Sequence, residues 1–328
     1  AGDWAESRSG DTFEVTNPAN GETITELPDG GREEAVRAID AAYEAFPAWA
    51  AATAYDRSAI LYRAWQLMIE RKDHLARTMT EEQGKPFRAA ATEVQYAADF
   101  LLWFAEEAKR VYGETIPSAR PDQRFIVMHQ PVGVVAAITP WNYPVSMITR
   151  KVGPALAAGC TVVLKPAEAT PLCAIETFKI LEEAGVPKGV INLVTAKDPA
   201  PVGEEFVTNP KVAKLTFTGS TAVGKMLAGK AAANMKRVSC ELGGHAPFMV
   251  FEDANPVHAA KGAQLAKFLN TGQACISPNR MYVAENLVDD FVGTLEERVS
   301  KMKAGNGFEE GVTIGPLVNE AAVTKVET

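Results

Sequence analysis

The sequence lacks an apolar run long enough to cross a membrane. A spanning helix needs about 18 to 20 apolar residues, and the longest mostly apolar stretch, residues 132–139, has only the length of a strand. The first residues also lack a basic segment followed by an apolar one, the pattern of a secretory signal peptide. We therefore expect no membrane partner and a cytoplasmic location.

Cysteine and histidine are both scarce, with four of each in 328 residues. So few cysteines, with no CxxC pair, do not form a disulfide framework, which favours a reducing compartment. The histidines lack the HxxxH and HExxH spacings of metal sites, so no metal is expected. The residues concerned are Cys160, Cys173, Cys240 and Cys275, with His74, His129, His245 and His258.

An excess of basic charge is missing as well. The chain has 33 Lys and Arg residues against 41 Asp and Glu residues, a net charge of −8. This balance argues against nucleic acid or an anionic membrane surface as a partner. The length predicts about two domains with a sizeable core.

Up to about residue 110 the pattern is mainly helical. Apolar residues at three- and four-residue steps predict amphipathic helices in three segments, and Gly84-Lys85-Pro86 predicts a break between two of them. Residues 112–130 contain two prolines and an alternating stretch, which predicts an exposed hairpin or edge strand. In the first helical segment the expected apolar face consists of Val36, Ile39, Tyr43 and Phe46.

From residue 131 short β-branched runs alternate with helical segments. VGVVAAIT, TVVL, GVINLV, KLTF and RVSCEL follow one another at intervals of about 20 to 30 residues. This alternation predicts an α/β fold with a parallel sheet covered on both faces. Because such sheets bind ligands at the carboxyl ends of their strands, we searched for chemistry at the strand-to-loop junctions.

The first junction carries an amide, and the second carries a cation and a carboxylate. Pro140-Trp141-Asn142-Tyr143-Pro144 follows the first strand, and two prolines make that loop stiff; it is either ordinary turn chemistry or a site. Lys165-Pro166-Ala167-Glu168 follows the second strand. Its carboxylate could accept bonds from both hydroxyls of a ribose, although spacing alone favours a solvated loop with a helix-capping acid.

The third junction, Thr218–Lys225, combines glycine and hydroxyl residues at the start of a helix. Backbone N–H groups and the helix dipole make such a turn an anion site, but an ordinary N-cap at Ser220 is an equal alternative. The segment matches neither GxGxxG nor the Walker pattern. A phosphate site is therefore one of two open interpretations.

The fourth junction, Glu241-Leu242-Gly243-Gly244, is followed 34 residues after Glu241 by Cys275 in a glycine-containing turn at a helix end. A carboxylate and a cysteine could act as base and nucleophile. A lone cysteine is more often a small buried hydrophobic residue, and spacing alone does not show that the two side chains meet.

Together and in this order, PWN, KPAE, FTGS, ELGG and GQAC resemble the aldehyde dehydrogenase superfamily, from about Asn17 to the last residue. The resemblance implies a Rossmann-type parallel-sheet cofactor domain, an α/β catalytic domain and a small oligomerisation hairpin. The corresponding boundaries are residues 1–111 and 131–240 for the NAD-binding domain, 112–130 for the hairpin, and 241–328 for an incomplete catalytic domain. Family members are longer than this chain, which we expect to be a fragment or an incomplete record.

The same resemblance implies a role for each catalytic side chain. Cys275 resembles the nucleophile, Asn142 an oxyanion donor, and Glu241 the base that activates water for hydrolysis of a thioester. A carboxylate at Glu241 favours a free acid product over an acyl-coenzyme A.

The expected cofactor is NAD, with NADP less favoured, because a carboxylate at Glu168 would bond the ribose 2′-hydroxyl and repel a 2′-phosphate. Lys165 and Glu168 resemble the adenosine-ribose contacts, and Gly219, Ser220 and Gly224 lie in the pyrophosphate turn. The full set of expected cofactor residues is Thr139, Pro140, Trp141, Lys165, Pro166, Ala167, Glu168, Gly219, Ser220, Thr221, Gly224 and Leu242.

Residues 139–168 closely resemble the NAD-dependent succinate-semialdehyde dehydrogenase branch. In that branch the arginine matching Arg150 binds the far carboxylate of the substrate, and Tyr143 is the second expected substrate residue. The branch often has another arginine where this chain has Leu269, so a glutarate or aryl-substituted semialdehyde is an alternative. Ser277 stands where some members have a second cysteine, which excludes a disulfide within that loop.

The resemblance also bears on partners. A small-molecule aldehyde is the expected substrate, and the full-length protein is expected to be a homodimer or homotetramer. A non-catalytic relative is the alternative from another functional class. Intact Cys275, Glu241 and Asn142 argue against it.

Overall fold

The computed structural model describes residues 3–327 as an α/β fold of helices around short strands. The helices are α1 Arg32–Ala51, α2 Ala54–Glu70, α3 Lys72–Gln83, α4 Phe87–Ala108, α5 Ser146–Ala157, α6 Leu172–Glu183, α7 Ala200–Thr208, α8 Thr221–Ala233, α9 Pro256–Lys267, α10 Val288–Ser300 and α11 Glu320–Glu327. Two short 3-10 helices cover Leu269–Gly272 and Glu285–Leu287. The strands are β1 Thr12–Thr16, β2 Thr23–Pro28, β3 Glu114–Ile116, β4 Phe125–Val127, β5 Val134–Ile138, β6 Thr161–Lys165, β7 Ile191–Leu193, β8 Val212–Thr218, β9 Arg237–Glu241, β10 Phe248–Val250, β11 Met281–Val283, β12 Lys303–Ala304 and β13 Val312–Ile314.

The central sheet has five parallel strands in the order β7-β6-β5-β8-β9. The chain starts in the middle at β5, moves outward through β6 and β7, and then returns to the other side of β5 to form β8 and β9. The order therefore reverses between β5 and β8. A crevice forms at such a switch point, outside the carboxyl ends of the strands, and ligands bind there in this class of sheet.

Both faces of this sheet are covered, as the alternating pattern predicted. Val162 and Leu164 of β6 pack into the core formed with α2 to α6. Val163, between them, packs into the opposite core with α1, α7 and α8. This two-residue alternation is the geometry of a strand buried on both faces.

The expected helices and the break between α3 and α4 are confirmed, with one correction. Gly84 ends α3 in the left-handed region at φ +80°, which a glycine adopts without strain. In α1, however, Tyr43 is 51% exposed. The buried residues of α1 are alanines, among them Ala35 and Ala42, together with Ile39 and Trp49, because α1 packs closely against β5, β6 and β7.

Residues 112–130 form an antiparallel pair, in which β3 and β4 are exposed along their whole length. The prediction of an exposed hairpin is confirmed in its geometry. Its role in oligomerisation stays a prediction.

After β9 the chain leaves the central sheet. β10 and β11 pair in parallel as a separate two-stranded sheet, and its core with α9 and α10 is small, with Val250, Ala260, Ala263 and Phe291 as its buried residues. Within residues 3–327, no helix has the length and apolar character of a membrane span.

Candidate active site

Four neighbouring strands of the central sheet end at the same edge, and each is followed by one of the predicted motifs. Thr139–Pro144 follow β5, Pro166–Glu168 follow β6, Gly219–Gly224 follow β8, and Leu242 follows β9. Two backbone bonds join neighbouring loops at this edge: Thr139 N–H donates to Lys165 O at 3.2 Å, and Gly219 N–H donates to Glu241 O at 3.2 Å. The structure thus brings together the residues that the sequence placed on four separate loops.

The turn after β8 is packed tightly around its glycines. A Cβ on Gly219 would lie 2.5 Å from Phe217 Cζ, and one on Gly224 would collide with Leu242. Ser220 caps α8, since its Oγ accepts from Val223 N–H at 3.4 Å. The N-cap interpretation is therefore confirmed. An anion would bind at the N-terminus of α8, which begins directly after Ser220.

One polar atom beside this turn has no partner in the described chain. Thr218 Oγ1 is buried and makes no hydrogen bond there. Buried hydroxyls are normally bonded, so a polar ligand at this edge would satisfy an atom that the protein leaves open.

The cation and the carboxylate after β6 form an ion pair: Lys165 Nζ lies 3.0 Å from Glu168 Oε2. Lys165 is buried, whereas the Glu168 side chain is 48% exposed. The carboxylate therefore remains accessible from the crevice while its lysine holds it in place.

Asn142 contacts the loop that carries Cys275. Its side-chain Nδ2 donates to Gln273 O at 2.8 Å. Its backbone O accepts from Asn270 Nδ2 at 2.8 Å and from Lys85 Nζ at 2.9 Å. The side-chain nitrogen of Asn142 carries two N–H groups. One of them bonds Gln273 O, two positions before Cys275 in the chain, and the other remains available to a ligand.

The backbone before Cys275 is strained. Asn270, Thr271 and Gly272 all have positive φ, at 51°, 61° and 78°, and two of these residues are not glycine. Such conformations persist only where neighbouring contacts impose them. Here Thr271 Oγ1 accepts from Gly315 N–H at 3.0 Å, and the Cys275 thiol that follows is free and exposed.

The rest of this loop is held at both ends. Gln273 Oε1 accepts from Val318 N–H at 3.1 Å, and Ser277 Oγ donates to Lys267 O at 2.9 Å. The exposed cysteine therefore lies on a fixed segment.

Glu241 ends β9 and is exposed. The loop that follows it reaches the cysteine segment, since a Cβ on Gly244 would lie 3.9 Å from Cys275 O. Lys151 of α5 is buried nearby and bonds Thr216 Oγ1 at 3.0 Å. Burial lowers the pKa of Lys151 to about 8, and the negative charge of Glu241 opposes that shift.

The two expected substrate residues lie in different environments. Burial raises the pKa of Tyr143, and the charges of Glu93 and Cys275 add to the rise. Its hydroxyl is buried without a hydrogen-bond partner in the described chain. Arg150 is partly buried, with its guanidinium 5.6 Å from the Phe100 ring centre, and no carboxylate within residues 3–327 forms an ion pair with it.

Sequence reasoning missed four residues at this site: Lys85, Glu93, Lys151 and Asn270. Lys85 was assigned only to a break between two helices, and neither Glu93 nor Lys151 was singled out. Asn270 was visible in the NTGQAC segment, where its left-handed backbone was not. Two lysines with 2% and 7% exposure are uncommon, but burial cannot be read from isolated charges in a sequence.

The family model "Aldehyde dehydrogenase family" matches residues 4–328. The chain belongs to this family. It is similar to succinate-semialdehyde dehydrogenase [NADP(+)] GabD of Escherichia coli, at 53% identity over 99% of this chain and 67% of that protein. It is also similar to the glutarate-semialdehyde dehydrogenase of Pseudomonas aeruginosa, at 54% identity over 99% and 67%.

Among solved structures, succinate-semialdehyde dehydrogenase from Burkholderia pseudomallei superposes with a TM-score of 0.98 at 51% identity, over 99% of this chain and 67% of that one. The chain thus spans about two thirds of the length of the relatives that it matches. The resemblance inferred from five motifs is confirmed at the level of family and fold.

Proposed function

We propose that this chain carries the nucleophile, the oxyanion donor and the cofactor-binding edge of an NAD-dependent semialdehyde dehydrogenase. The observation that carries the proposal is the bond from Asn142 Nδ2 to Gln273 O. It joins the stiff loop after β5 to the strained segment before Cys275, beside the crevice of a parallel sheet. An amide donor next to an exposed thiol is the arrangement needed to attack a carbonyl and hold the resulting oxyanion.

The residues at the sheet edge fit a dinucleotide. The N-terminus of α8 suits a pyrophosphate, the open hydroxyl of Thr218 needs a polar partner, and the Glu168 carboxylate is accessible to a ribose. When bound there, the nicotinamide would accept a hydride. Thr139, Pro140 and Trp141 after β5 would border the same crevice.

NAD is the cofactor that Glu168 supports, because a carboxylate bonds a 2′-hydroxyl and repels a 2′-phosphate. The similar Escherichia coli protein is named as NADP(+)-dependent, so this choice needs its own test. We expect the full-length protein to have a higher kcat/KM with NAD than with NADP, and the change Glu168→Gln to narrow the difference. Equal use of both cofactors by the unmodified protein would contradict the assignment.

The proposed reaction uses three side chains of this chain in turn. The Cys275 thiolate adds to the aldehyde carbon, and the oxyanion that forms accepts hydrogen bonds from Asn142 and from Cys275 N–H; one such donor contributes about 3–4 kcal/mol to transition-state stabilisation. Departure of the hydride leaves a thioester on Cys275. Glu241 then removes a proton from water, which adds to the thioester, and the acid leaves with the thiol restored.

Arg150 supports a substrate with a distant carboxylate. The guanidinium of Arg150 lies against the Phe100 ring and 3.9 Å from Met147 Sδ, and these contacts fix its orientation. None of the ion pairs within residues 3–327 gives it an acidic partner. A carboxylate binds this group with two parallel hydrogen bonds. Leu269 is 43% exposed and stands where the branch often has another arginine. Glutarate and aryl-substituted semialdehydes are therefore alternatives to succinate semialdehyde.

The test is a substrate series on the full-length protein, with NADH formation as the readout. Succinate and glutarate semialdehydes, an aryl-substituted semialdehyde and neutral butanal separate chain length from charge. We expect the preference for a semialdehyde over butanal to be about 10- to 100-fold, the worth of a charged hydrogen bond. The change Arg150→Met should remove most of it, whereas Arg63→Met on α2 should not; equal rates for charged and neutral aldehydes would defeat the substrate proposal.

The assembly and location are part of the same proposal. The exposed β3–β4 hairpin would pair with another copy in a homodimer or homotetramer. The free cysteines support a cytoplasmic location. Light scattering on the protein with and without residues 112–130 tests the first statement. A non-catalytic relative stays the second candidate. Full activity after Cys275→Ala would overturn the assignment of Cys275 as the nucleophile.

A further inference from the structure

The backbone carbonyl of Asn142 is held from two separate parts of the chain. Lys85 reaches it from the break between α3 and α4, and Asn270 reaches it from the cysteine segment. Both bonds are short, at 2.9 and 2.8 Å, and both donors are at least nine-tenths buried. The orientation of this peptide is therefore fixed independently of the cofactor.

Lys85 makes three contacts with its one charge. Its Nζ pairs with the carboxylate of Glu93, donates to Asn142 O, and lies 4.2 Å from the centre of the Tyr143 ring. Neither side chain of the ion pair exceeds 2% exposure. A buried ion pair is weak evidence for stability, since apolar residues of similar volume often serve as well. The geometry of this pair, by contrast, places Lys85 against two residues of the site, Asn142 and Tyr143.

Glu93 fixes the other end of the same loop. Its Oε1 accepts from Val145 N–H and Ser146 N–H, both at 3.1 Å, and from Ser146 Oγ at 3.3 Å. One oxygen of this carboxylate therefore caps the start of α5 while the other holds Lys85. Residues 142–146 are clamped at both ends by one buried network.

We propose that Lys85, Glu93 and Asn270 are positioning residues that fix the Asn142 amide beside Cys275. The inference rests on the proposed function, in which that amide stabilises an oxyanion. Without the clamp the peptide rotates and carries the amide away from the reacting carbonyl. Since misplacement by about 1 Å costs about 100-fold in rate, the loss should appear in kcat, while cofactor binding at the sheet edge remains.

The test uses the full-length protein and the double change Lys85→Met with Glu93→Gln, which removes both charges and leaves no buried ion unpaired. We expect kcat to fall about 100-fold, the cofactor Kd to stay within about twofold, and the initial burst of NADH to disappear, because formation and oxidation of the cysteine adduct become slow. Asn270→Gly, which suits the positive φ and removes the donor, should also lower kcat and abolish the burst.

A matched control comes from the same region. Glu82→Gln alters another fully buried carboxylate, three residues from Lys85, whose oxygens accept from Leu172 and Cys173 N–H at 2.7 and 2.8 Å. It should keep kcat and the burst. Loss of kcat in this control equal to that in the double variant would show a general structural effect and overturn the proposal.

The outcomes separate this inference from the proposed function. An active parent with an equally active double variant overturns the inference alone. A parent inactive on every aldehyde overturns the proposed function, and crystal structures then decide the clamp: an Asn142 amide that stays 2.8 Å from Gln273 O in the double variant overturns it. A displaced amide in that variant, with intact cofactor binding, supports it.

Discussion

The two sides of the proposed site differ in how they are held. Asn142 lies on the loop after β5 of the central sheet, whose two large cores include residues of α1 to α8. Cys275 lies beyond β9, where the core has four buried residues and apolar side chains such as Met249, Phe251 and Tyr282 are more than half exposed. The loop with the amide donor is held by hydrogen bonds from buried side chains beside these large cores, whereas the cysteine segment depends on hydrogen bonds in a region with little core.

This difference appears in the backbone too. The loop after β5 is stiffened by two prolines and by buried contacts, and it has no residue with positive φ. The cysteine segment has three in succession, held by bonds to Asn142, Gly315 and Val318. Strain is kept on the side that carries the nucleophile.

The largest expected effect concerns Cys275, beyond β9, in comparison with Cys160, which precedes β6 of the central sheet. Cys275→Ser in the full-length protein should reduce kcat at least about 10⁴-fold, since the nucleophile is lost. Cys160→Ala, at a buried position before β6, should leave kcat unchanged and destabilise the fold by about 1 kcal/mol. Steady-state rates and thermal unfolding measure both, and a small effect at Cys275 would break the comparison.

The next effect tests the base that the central sheet contributes. Glu241→Gln should slow turnover by about 10²- to 10⁴-fold, because no carboxylate activates the hydrolytic water. Of the three proposed catalytic side chains, oxidation of the aldehyde needs only Asn142 and Cys275. Rapid mixing should therefore still show a burst of about one NADH per active site. Absence of the burst would place Glu241 in the first half of the reaction instead.

The two cores can be compared directly. Phe206 and Phe291 are both almost fully buried, one in the core of α7 and β8 and the other in the small core of α9 and α10. Each change to Ala should cost about 3–5 kcal/mol locally. Hydrogen exchange should show faster opening of α9 and α10 alone for Phe291→Ala, and across the central sheet for Phe206→Ala; identical patterns would mean that the regions unfold as one unit.

The smallest effect concerns pH. Burial raises the pKa of Glu82 to about 7, although two backbone N–H donors to its carboxylate oppose the rise. Because the folded pKa lies above the ordinary value of 4.5, the folded state retains the proton between about pH 4.5 and 7, and the stability linked to it is lost as the pH rises through that range.

The matching measurement is the Tm of the parent minus that of Glu82→Gln. This difference should fall by a few degrees from pH 5 to pH 7.5. A difference that stays constant from pH 5 to pH 7.5 would mean that Glu82 is ionised throughout and acts as a charged cap on α6.

Much of the fold was predictable because the signals are local. Strand-sized β-branched runs between helical segments predict a parallel sheet. The carboxyl ends of such strands share one edge, and the motifs at residues 142, 168 and 219 lie along it. The apolar face of α1 was only partly predicted. Tyr43 has the right spacing but lies where the helix surface is uncovered, and no spacing rule specifies which part of a helix its neighbours cover.

The sequence by itself determined which chemical groups this protein has and on which loops they lie: a thiol, an amide and a carboxylate, each within three residues of a glycine or a proline. Only the tertiary structure decided what holds them. Lys85 and Asn142 are 57 positions apart in the chain, and Asn270 lies 128 further on. The side chains of Lys85 and Asn270 reach the Asn142 carbonyl because helices and strands pack against one sheet. Burial removes competing water, so each of these few hydrogen bonds is stronger than it would be in water.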